Sequence, residues 1–577
     1  MLTARFDDLR PGRKRSFGFG EPVGTVVAHT RDEVQAAIIE ADRIAQEGFW
    51  LAGMISYEAA PAFDSALTTA PASSFPLVSF NVYETVINDP EHVDGSGRVT
   101  KWTPNIDEAT YVSHIDQIRE SIRQGDTYQV NYTLRMRGRL DGDAQALYRD
   151  LIVAQSGGFG AYLKLEGWQL VSASPELFFR WDRSGKLVTR PMKGTTRRGR
   201  FTDEDNKLVD ELITSEKERA ENVMIVDLIR NDLGRVAEFG SVAVSELFAV
   251  EQYNTVWQMT SEIEAQARPD VGLYDVFAAL FPSGSVTGAP KAATMGIIAA
   301  LEQVPRNVYC GAIGVLAPPT SYAPRAQFNV PIRTVLVESR SREAEYGVGG
   351  GITYDSTSGG EYAEAMLKTE VLGKSTERFT LLETMRWDPD SDGIWLLERH
   401  LDRLANSGRY LGFSLDLDAI RTALVGLSLD DVARIRLLAN DNGFSVESTK
   451  LVEQRSPVRL EIDVVPVDPR DWRLFHKTTS RQTYQDAARR HPGADDVVLI
   501  NSEGNITETT IGNLAVEIDG TWYTPPITDG LLPGTYRAEL LEAGQLRERS
   551  ISTEDMRRCE KLAVINSVQG WRDAVLD

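Results

Sequence analysis

A short polar stretch, GKSTER at positions 373–378, interrupts the sequence and constrains its fold more than any other feature. Before it, amphipathic helical segments alternate with apolar segments such as VFAALF at 276–281, which we predict to be strands. After it come a strand-like FTLLETMRW, a helical LLERHLDRLANSGRYLG and a β-rich remainder. Because polarity and turn residues change at this stretch, we predict two domains, residues 1–374 and 375–577. The helices are spaced too irregularly for a doubly wound sheet, which favours an α+β fold for both domains.

Charge and cysteine content narrow the class of protein. The 577 residues include 62 Lys and Arg against 84 Asp and Glu, a formal net charge of −22, which argues against nucleic-acid or anionic-membrane partners. No apolar run approaches the roughly 20 residues of a membrane span, and no secretory signal is apparent. Cys310 and Cys559 have no metal-ligand spacing, which excludes a disulfide framework and a cysteine-based zinc site. We therefore expect a soluble, cytoplasmic enzyme.

Two pairs of glutamates stand out in the first domain. Glu218 and Glu221 lie in a segment predicted to be one long helix over residues 204–235. Glu361 and Glu364 lie in a helical segment that follows a glycine-rich strand end. Residues three apart share a helix face, so each pair is either an ordinary polar face or part of a convergent oxygen site for Mg²⁺. Spacing alone leaves both interpretations open.

Six segments of the first domain occur in the order found in the chorismate-utilising enzymes: SASPELFF, RPMKGTTRRG, EKERAENVMIVDLIRNDLGRV, FPSGSVTGAPKAATM, YCGAIGV and GVGGGITYDS. Roughly residues 1–370 therefore resemble this family. The resemblance implies two packed antiparallel sheets around a Mg²⁺-dependent chorismate site. It implies Glu221 and Glu364 as metal ligands, with Glu218 and Glu361 as additional ligands or acid–base groups. It also implies a set of chorismate-binding positions: Thr195, Tyr309, Arg333, Gly349 to Gly351, and Lys368.

Two positions distinguish members of this family by what attacks the chorismate ring. Anthranilate synthases carry a small residue at the position of Lys193, whereas aminodeoxychorismate synthases carry a lysine proposed to attack the ring covalently. Isochorismate-forming relatives carry a lysine at the position of Gln129, and a neutral amide cannot act as that base. The resemblance thus implies ammonia as the nucleophile, although the residues alone favour Lys193 as one more surface cation. Gln258 departs from the family, because many relatives have histidine there.

The second domain contains a lysine, a glutamate and a small-residue turn. Lys477 follows RLFH, Glu508 lies in GNITETTIGNLAV, and the turn GLLPGT precedes a helical segment. Such a turn can bind phosphate, since amides at a helix N-terminus favour anions, but each feature alone is also typical of ordinary strands and surfaces. In order and spacing, residues 378–577 resemble the fold-type IV pyridoxal-phosphate (PLP) enzymes, which include branched-chain aminotransferases and 4-amino-4-deoxychorismate lyase.

This second resemblance implies a role for each of these residues. Lys477 would bind PLP covalently and act as the base, and Glu508 would pair with the pyridine nitrogen of the cofactor. Phosphate contacts would come from the following set: Arg403, Thr510, Ile511, Gly534 and Thr535.

Taken together, the two resemblances imply a bifunctional enzyme of 4-aminobenzoate synthesis that uses Mg²⁺ and PLP. Its first domain would aminate chorismate, and its second would remove pyruvate. No glutamine-hydrolysing domain is apparent, so we expect ammonia from solution or from a separate glutamine amidotransferase subunit, and a homodimer through the second domain.

Two alternatives remain. An anthranilate synthase component I fused to a fold-type IV aminotransferase is disfavoured by Lys193. A synthase with a non-catalytic, partner-binding second domain is disfavoured by Lys477 and Glu508.

Overall fold

A computed structural model of the chain describes residues 2–10, 13–155, 157–369, 372, 379–390 and 393–577. The chain divides into two compact units, Met1–Arg197 with Val209–Thr376, and Arg198–Leu208 with Glu377–Asp577. The predicted boundary between residues 374 and 375 lies outside the described residues and stays a prediction. Within the described ranges, no helix is long and apolar enough to cross a membrane.

The first unit is built on two large antiparallel sheets. One sheet contains, in spatial order, the strands Gly288–Ala289, Gln129–Gly142, Glu343–Ile352, Thr334–Glu338, Trp168–Ser174, Phe159–Leu165, Ala4–Asp8, Arg15–Phe19 and Ile87–Asn88, with Gly97–Pro104 paired to Gln129–Gly142. The other contains Met192–Arg197, Val256–Gln266, Lys186–Arg190, Leu177–Trp181, Ala326–Asn329, Ala312–Leu316, Trp50–Ile55, Val78–Tyr83 and Gly24–Ala28, with Ala243–Gln252 paired to Val256–Gln266.

Apolar side chains from both sheets form a common core. Phe6, Phe19 and Leu336 of the first sheet pack in one cluster with Met54 and Ile313 of the second. Burial of this kind is the main favourable contribution to folding of two facing sheets. The expectation of an α+β fold with packed antiparallel sheets is therefore confirmed for this unit. Helices cover the sheets: Arg31–Gln46, Glu108–Gln124, Ala144–Gln155, Lys291–Leu301 and Ser358–Leu367.

The segment predicted as one long helix is instead two helices, Thr202–Thr214 and Glu216–Gly234. Ser215 separates them, because its backbone is extended and its hydroxyl accepts a hydrogen bond from the Glu218 amide at 3.3 Å. A serine followed three residues later by glutamate is a signal for a helix start, so the sequence already contained the evidence for this break.

The prediction of a strand at residues 276–281 is also wrong, because this segment lies largely in the helix Leu273–Leu280. Val276, Phe277, Ala279 and Leu280 are all buried. A helix buried on several sides is apolar nearly all round, and its periodicity cannot be distinguished from that of a buried strand.

The second unit contains a small and a larger sheet. The small antiparallel sheet has the strand order Gly393–Ile394, Leu381–Asp388, Ala433–Asn440, Gly443–Lys450. The larger sheet has the order Ile506–Thr509, Asp496–Ile500, Val458–Ile462, Gly570–Leu576, Lys561–Asn566, Asn513–Ile518, Thr521–Thr524, Arg547–Glu548. The helices are Leu397–Leu411, Leu417–Val425, Gln482–Arg490, Thr535–Glu542 and Thr553–Arg558. This unit is α+β as well.

Residues 198–208 belong to the second unit. They include the start of the helix Thr202–Thr214, which precedes Ser215. Arg198 forms a buried ion pair with Asp205 at 2.7 Å and donates a hydrogen bond to the Tyr410 carbonyl oxygen at 2.9 Å. The Tyr410 hydroxyl donates in return to the Gly199 carbonyl oxygen at 2.7 Å. The Phe201 ring packs on Phe475, with 5.5 Å between ring centroids. Nothing in the sequence pattern indicated this assignment.

Candidate active sites

Lys193 in the first unit lies beside two other predicted site residues. Its ammonium nitrogen is 2.9 Å from a carboxylate oxygen of Glu221 on the helix Glu216–Gly234. A Cβ atom built on Gly351 would lie 2.6 Å from Lys193 Nζ and 2.7 Å from Gln129 Nε2, so a methyl group at this position would displace the ends of these two side chains. Gln129 is fully buried, and neither polar atom of its amide has a hydrogen-bond partner among the described residues. Because an unpaired buried amide is costly, this amide is suited to hold a ligand beside Lys193.

Side-chain amides fix the backbone around Lys193. Gln258 donates from Nε2 to the Gly194 carbonyl oxygen at 3.0 Å and accepts from the Thr195 hydroxyl at 3.0 Å. Asn222 donates to the carbonyl oxygen of Lys193 itself at 3.2 Å. Gln258 therefore contacts the two residues that follow Lys193. Asn222 was missed by the sequence reasoning, although it directly follows Glu221 in the glutamate-bearing segment.

The four glutamates lie on helices, as predicted, and interact electrostatically. Burial, followed by the charge of Glu221, raises the pKa of Glu218, and burial also raises the pKa of Glu361. Burial opposes ionisation of Glu364, but the charge of Lys368 and its 2.8 Å ion pair outweigh it and lower the pKa of this carboxyl.

The donor chemistry of these glutamates suits Mg²⁺, but the side chains do not form a metal site as they are placed. Among the described residues, no three His, Cys, Asp or Glu side chains lie close enough to hold a metal ion. Glu221 and Glu364 are paired with Lys193 and Lys368 instead. The carboxylate chemistry thus agrees with Mg²⁺ and the present geometry does not.

The other predicted chorismate positions lie on neighbouring strands. Lys368 Nζ donates to the Gly349 carbonyl oxygen at 2.9 Å. Tyr309 is buried, and its ring packs on Gly347 of the strand that carries Gly349 and Gly351. Arg333 has a positive φ of 52° and donates to the Gln155 side chain.

The second unit contains a cavity of about 590 Å³, lined by Lys477, Glu508, Arg403, Arg481 and Tyr484, among others. Burial, followed by the charges of Arg403 and Arg481, lowers the pKa of Lys477 to about 8. A lysine becomes an effective nucleophile when its surroundings depress its pKa in this way. The lysine singled out from sequence is therefore a chemically activated amine.

Glu508 lies on the same cavity, in the strand Ile506–Thr509. It accepts hydrogen bonds from the Tyr484 hydroxyl at 2.8 Å, the Leu532 amide at 3.2 Å and the Asn513 side chain at 3.3 Å. Burial raises its pKa to about 7. Its ionised form would be stabilised by a cationic ring nitrogen in the cavity.

The predicted phosphate contacts surround one end of this cavity. Gly534 and Thr535 begin the helix Thr535–Glu542, and Arg403 and Ile511 also line the cavity wall. Thr510 lines the cavity as well, but its amide and hydroxyl both donate to the buried Asp496, at 3.1 and 2.6 Å. An activated lysine, a buried carboxyl and a cationic anion pocket in one cavity fit PLP, whose aldehyde, ring nitrogen and phosphate need these three partners.

Comparison with known proteins follows this division of the chain. Residues 87–374 match the family described as chorismate binding enzyme, and residues 380–575 match amino-transferase class IV. The chain therefore joins a domain of the chorismate binding enzyme family to one of the amino-transferase class IV family, and both resemblances seen in the sequence are confirmed. Membership of the second family implies PLP as cofactor.

Curated relatives match the first part of the chain. Over 277 residues it is 40% identical to aminodeoxychorismate synthase component 1 of Escherichia coli (strain K12), covering 48% of this chain and 60% of that protein. Over 276 residues it is 36% identical to anthranilate synthase component 1 of Aquifex aeolicus (strain VF5), covering 48% of this chain and 54% of that protein. The chain thus spans little more than half the length of these relatives.

A solved structure shows the same fold in the first unit. Anthranilate synthase component I from Streptococcus pneumoniae TIGR4 superposes with a TM-score of 0.55 at 24% identity, over 63% of this chain and 93% of that one. At this identity the likeness concerns the fold alone.

Proposed function

We propose that this chain makes 4-aminobenzoate from chorismate in two steps, in the cytoplasm. The first unit exchanges the C4 hydroxyl of chorismate for ammonia, which gives 4-amino-4-deoxychorismate and water. The second unit eliminates pyruvate from that product. The observation that carries the proposal is the position of the Lys193 ammonium, beside Gln129 and Gly351 and 2.9 Å from Glu221.

In the first step, the Lys193 amine adds to C2 of the ring while the C4 hydroxyl leaves as water. Ammonia then adds at C4, and the bond from C2 to Lys193 breaks. A proton donor is needed for the leaving hydroxyl, and Glu218, whose pKa is raised by burial, is suited to that role. Chorismate is a dianion, so we assign its binding to Arg333 and Lys368, with Thr195, Tyr309, Gln129 and the backbone of Gly349 and Gly351.

We propose that Glu221 and Glu364 hold Mg²⁺ together with the substrate, with Glu218 and Glu361 beside them. The ion would supply charge neutralisation for a substrate carboxylate. In the present arrangement Lys193 and Lys368 neutralise these two glutamates.

Ammonia has to be supplied to the first unit. We propose a separate glutamine amidotransferase subunit as its source, with free ammonium as a substitute in solution. For the second unit we propose a homodimer.

In the second step, we propose that Lys477 removes the proton from the ring carbon that bears the amino group. The enolpyruvyl group leaves from the adjacent carbon, and the ring becomes aromatic. PLP, when bound, supplies an electron sink for this elimination. Glu508 would hold the ring nitrogen of the cofactor, and Arg403, Gly534 and Thr535 its phosphate, with Ile511 and Thr510 beside them.

Product analysis of two single variants tests the proposal. The full-length chain is given chorismate, Mg²⁺ and ammonium, with and without PLP. Lys477→Ala should still consume chorismate and accumulate 4-amino-4-deoxychorismate, because the first unit does not use this lysine. Lys193→Ala should consume chorismate at least about 100-fold more slowly while still binding PLP.

Three outcomes would contradict the proposal. If Lys477→Ala still makes 4-aminobenzoate unaided, the second unit is not the lyase. If it accumulates anthranilate instead, the assignment from Lys193 and Gln129 is wrong, and an anthranilate synthase joined to an aminotransferase is favoured. If Lys193→Ala aminates chorismate at the rate of the unaltered chain, the covalent role of Lys193 is wrong.

A further inference from the structure

Behind the phosphate end of the second unit's cavity lies a buried chain of polar side chains formed by Glu383, His400 and Thr535. His400 is 1% exposed. Its Nδ1 lies 2.7 Å from a carboxylate oxygen of Glu383, and its Nε2 lies 3.3 Å from the hydroxyl oxygen of Thr535. The three residues come from the strand Leu381–Asp388, the helix Leu397–Leu411 and the start of the helix Thr535–Glu542. One hydrogen-bonded chain thus connects three elements and ends at the turn assigned to phosphate.

Glu383 also sets the orientation of Arg403. Its two oxygens accept hydrogen bonds from Arg403 Nε at 2.9 Å and Nη2 at 2.6 Å, and Arg403 Nη1 donates to the Pro533 carbonyl oxygen at 3.2 Å. A guanidinium has five N–H groups, so these contacts leave two for an anion in the cavity. The contacts hold the plane of the group on both sides, so these two donors have a fixed direction.

The protonation states of Glu383 and His400 determine which group donates each of these hydrogen bonds. Burial opposes ionisation of Glu383, but the charge of Arg403 and the hydrogen bonds outweigh it and lower the pKa of Glu383 to about 2. An ionised carboxylate only accepts, so His400 donates from Nδ1. Burial lowers the pKa of His400, which keeps the ring neutral. Its Nε2 is then an acceptor, and the Thr535 hydroxyl points its proton at His400, away from the cavity.

We propose that His400 is a positioning residue for the cofactor's phosphate group. Through Glu383 it fixes the free N–H groups of Arg403, and through Thr535 it fixes the first turn of the helix that receives the phosphate. His400 need not touch the cofactor itself. The inference rests on PLP binding by this unit and is independent of which reaction follows.

Affinity for two cofactor forms separates this role from general support of the fold. The full-length chain, freed of cofactor, is titrated with PLP and with pyridoxal, which has the same ring and aldehyde but no phosphate. We expect His400→Ala to weaken PLP binding about tenfold, the loss typical of a charge-linked hydrogen bond, and to change pyridoxal binding less than about twofold. The ratio of the two dissociation constants is the measured quantity.

Conservative variants test the two ends of the chain. His400→Asn places an amide near Nδ1 and His400→Gln places one near Nε2, so each should restore part of the PLP affinity lost in His400→Ala. Thr535→Val removes the hydroxyl at nearly constant shape. If His400 acts through Thr535, the double variant His400→Ala/Thr535→Val should bind PLP within about twofold of His400→Ala alone.

The inference is overturned if PLP and pyridoxal affinities fall together, if His400→Ala leaves PLP affinity unchanged, or if the two single effects add fully in the double variant. If the unaltered chain binds neither compound, the cofactor assignment fails, and this inference fails with it. If the unaltered chain binds PLP and His400→Ala binds it equally well, the inference about His400 is wrong but the cofactor assignment stands.

Discussion

Gln258 shows how a single substitution relative to a family can be accommodated. Many chorismate-utilising relatives have histidine here, and in this chain the amide instead contacts Gly194 and Thr195, directly after Lys193. It is 8% exposed. An amide that both donates and accepts can hold the Gly194 backbone and the Thr195 side chain at once. We infer that its contribution is to place the Lys193 amine rather than to act on the leaving hydroxyl.

Replacing this amide should therefore affect turnover more than substrate binding. Gln258→Leu removes both hydrogen bonds, and misplacing a reacting group by about 1 Å can cost roughly 100-fold in rate. We expect kcat for chorismate amination to fall by about that factor, with KM changing less than about threefold. Gln258→Glu, which keeps the acceptor for Thr195 but loses the donor to Gly194, should lie between. An unchanged kcat in Gln258→Leu would refute this role.

The depressed pKa of Lys477 predicts a pH dependence for attachment of PLP. Only the neutral amine attacks an aldehyde, so the rate should rise with pH and level off above a pKa of about 8, not near the ordinary lysine value of 10.5. Arg481→Gln removes one of the charges that lower this pKa. The rate of PLP attachment to this variant should therefore level off at a higher pH. Visible absorbance after mixing PLP with the cofactor-free, full-length chain measures both profiles. A plateau that stays in place, or moves to lower pH, contradicts the electrostatic account.

The lysines to which we assign the chemistry were singled out from sequence, but some residues that contact them or their neighbours were not. Lys193 and Lys477 stand in short motifs with a recognisable order, and the structure places each beside charged or polar partners. Asn222 contacts the backbone carbonyl oxygen of Lys193, and His400 contacts Thr535, which is distant in sequence. No local sequence pattern indicates either contact. Gln258 was noticed only because it differs from relatives.

Among the elements, the strand Glu343–Ile352 contributes two glycines to the first site, and a side chain at either would meet close neighbours. A Cβ at Gly349 would lie 2.1 Å from the Tyr132 carbonyl oxygen, which is backbone of the paired strand. A Cβ at Gly351 would instead meet the ends of the Lys193 and Gln129 side chains. Backbone cannot yield easily, whereas the ends of long side chains can.

Two alanine substitutions in this strand should therefore impair different properties, one the stability of the fold and the other the rate of the reaction. Gly349→Ala should lower the free energy of unfolding by about 1–3 kcal/mol, as overpacking does. Gly351→Ala should change it by less than about 1 kcal/mol but slow chorismate amination at least about tenfold, because it displaces Lys193 and Gln129. Denaturant unfolding and initial rates on both variants make the comparison. Equal stability losses would show that the Gly351 position is rigid as well.

Sequence patterns located elements of regular amphipathicity well. The helix Leu397–Leu411 coincides with LLERHLDRLANSGRYLG, which the sequence predicts to be helical. The predictions were wrong where a segment was apolar throughout, or where a helical pattern continued through a helix N-cap. The apolar VFAALF fits both element types, and the break at Ser215 interrupts a segment that is otherwise favourable to helix throughout.

At the scale of the whole molecule, the second unit is unexpected in that it includes residues 198–208, which lie in sequence between the two segments of the first unit. The buried pair of Arg198 and Asp205 makes this assignment testable. Arg198→Ala removes the cation paired with a buried carboxylate, which typically costs about 3 kcal/mol.

Thermal unfolding of Arg198→Ala should report this loss in one unit. PLP stabilises the state that binds it, so the transition that PLP raises belongs to the second unit. The midpoint temperature of this transition should fall by several degrees in Arg198→Ala, while that of the other transition should not change. The control Arg558→Ala breaks an exposed ion pair with Glu554 in the same unit and should cost less than about 0.5 kcal/mol. A shift confined to the other transition would contradict the assignment of residues 198–208.

That assignment has a consequence for the gene. A unit that takes part of its structure from inside its neighbour cannot be separated from it by one cut, because a cut near residue 376 leaves residues 198–208 on the other product. Expressing the two activities as independent proteins would require redesign of the surface around Tyr410 and Phe475. Such a fusion is easier for evolution to refine than to reverse.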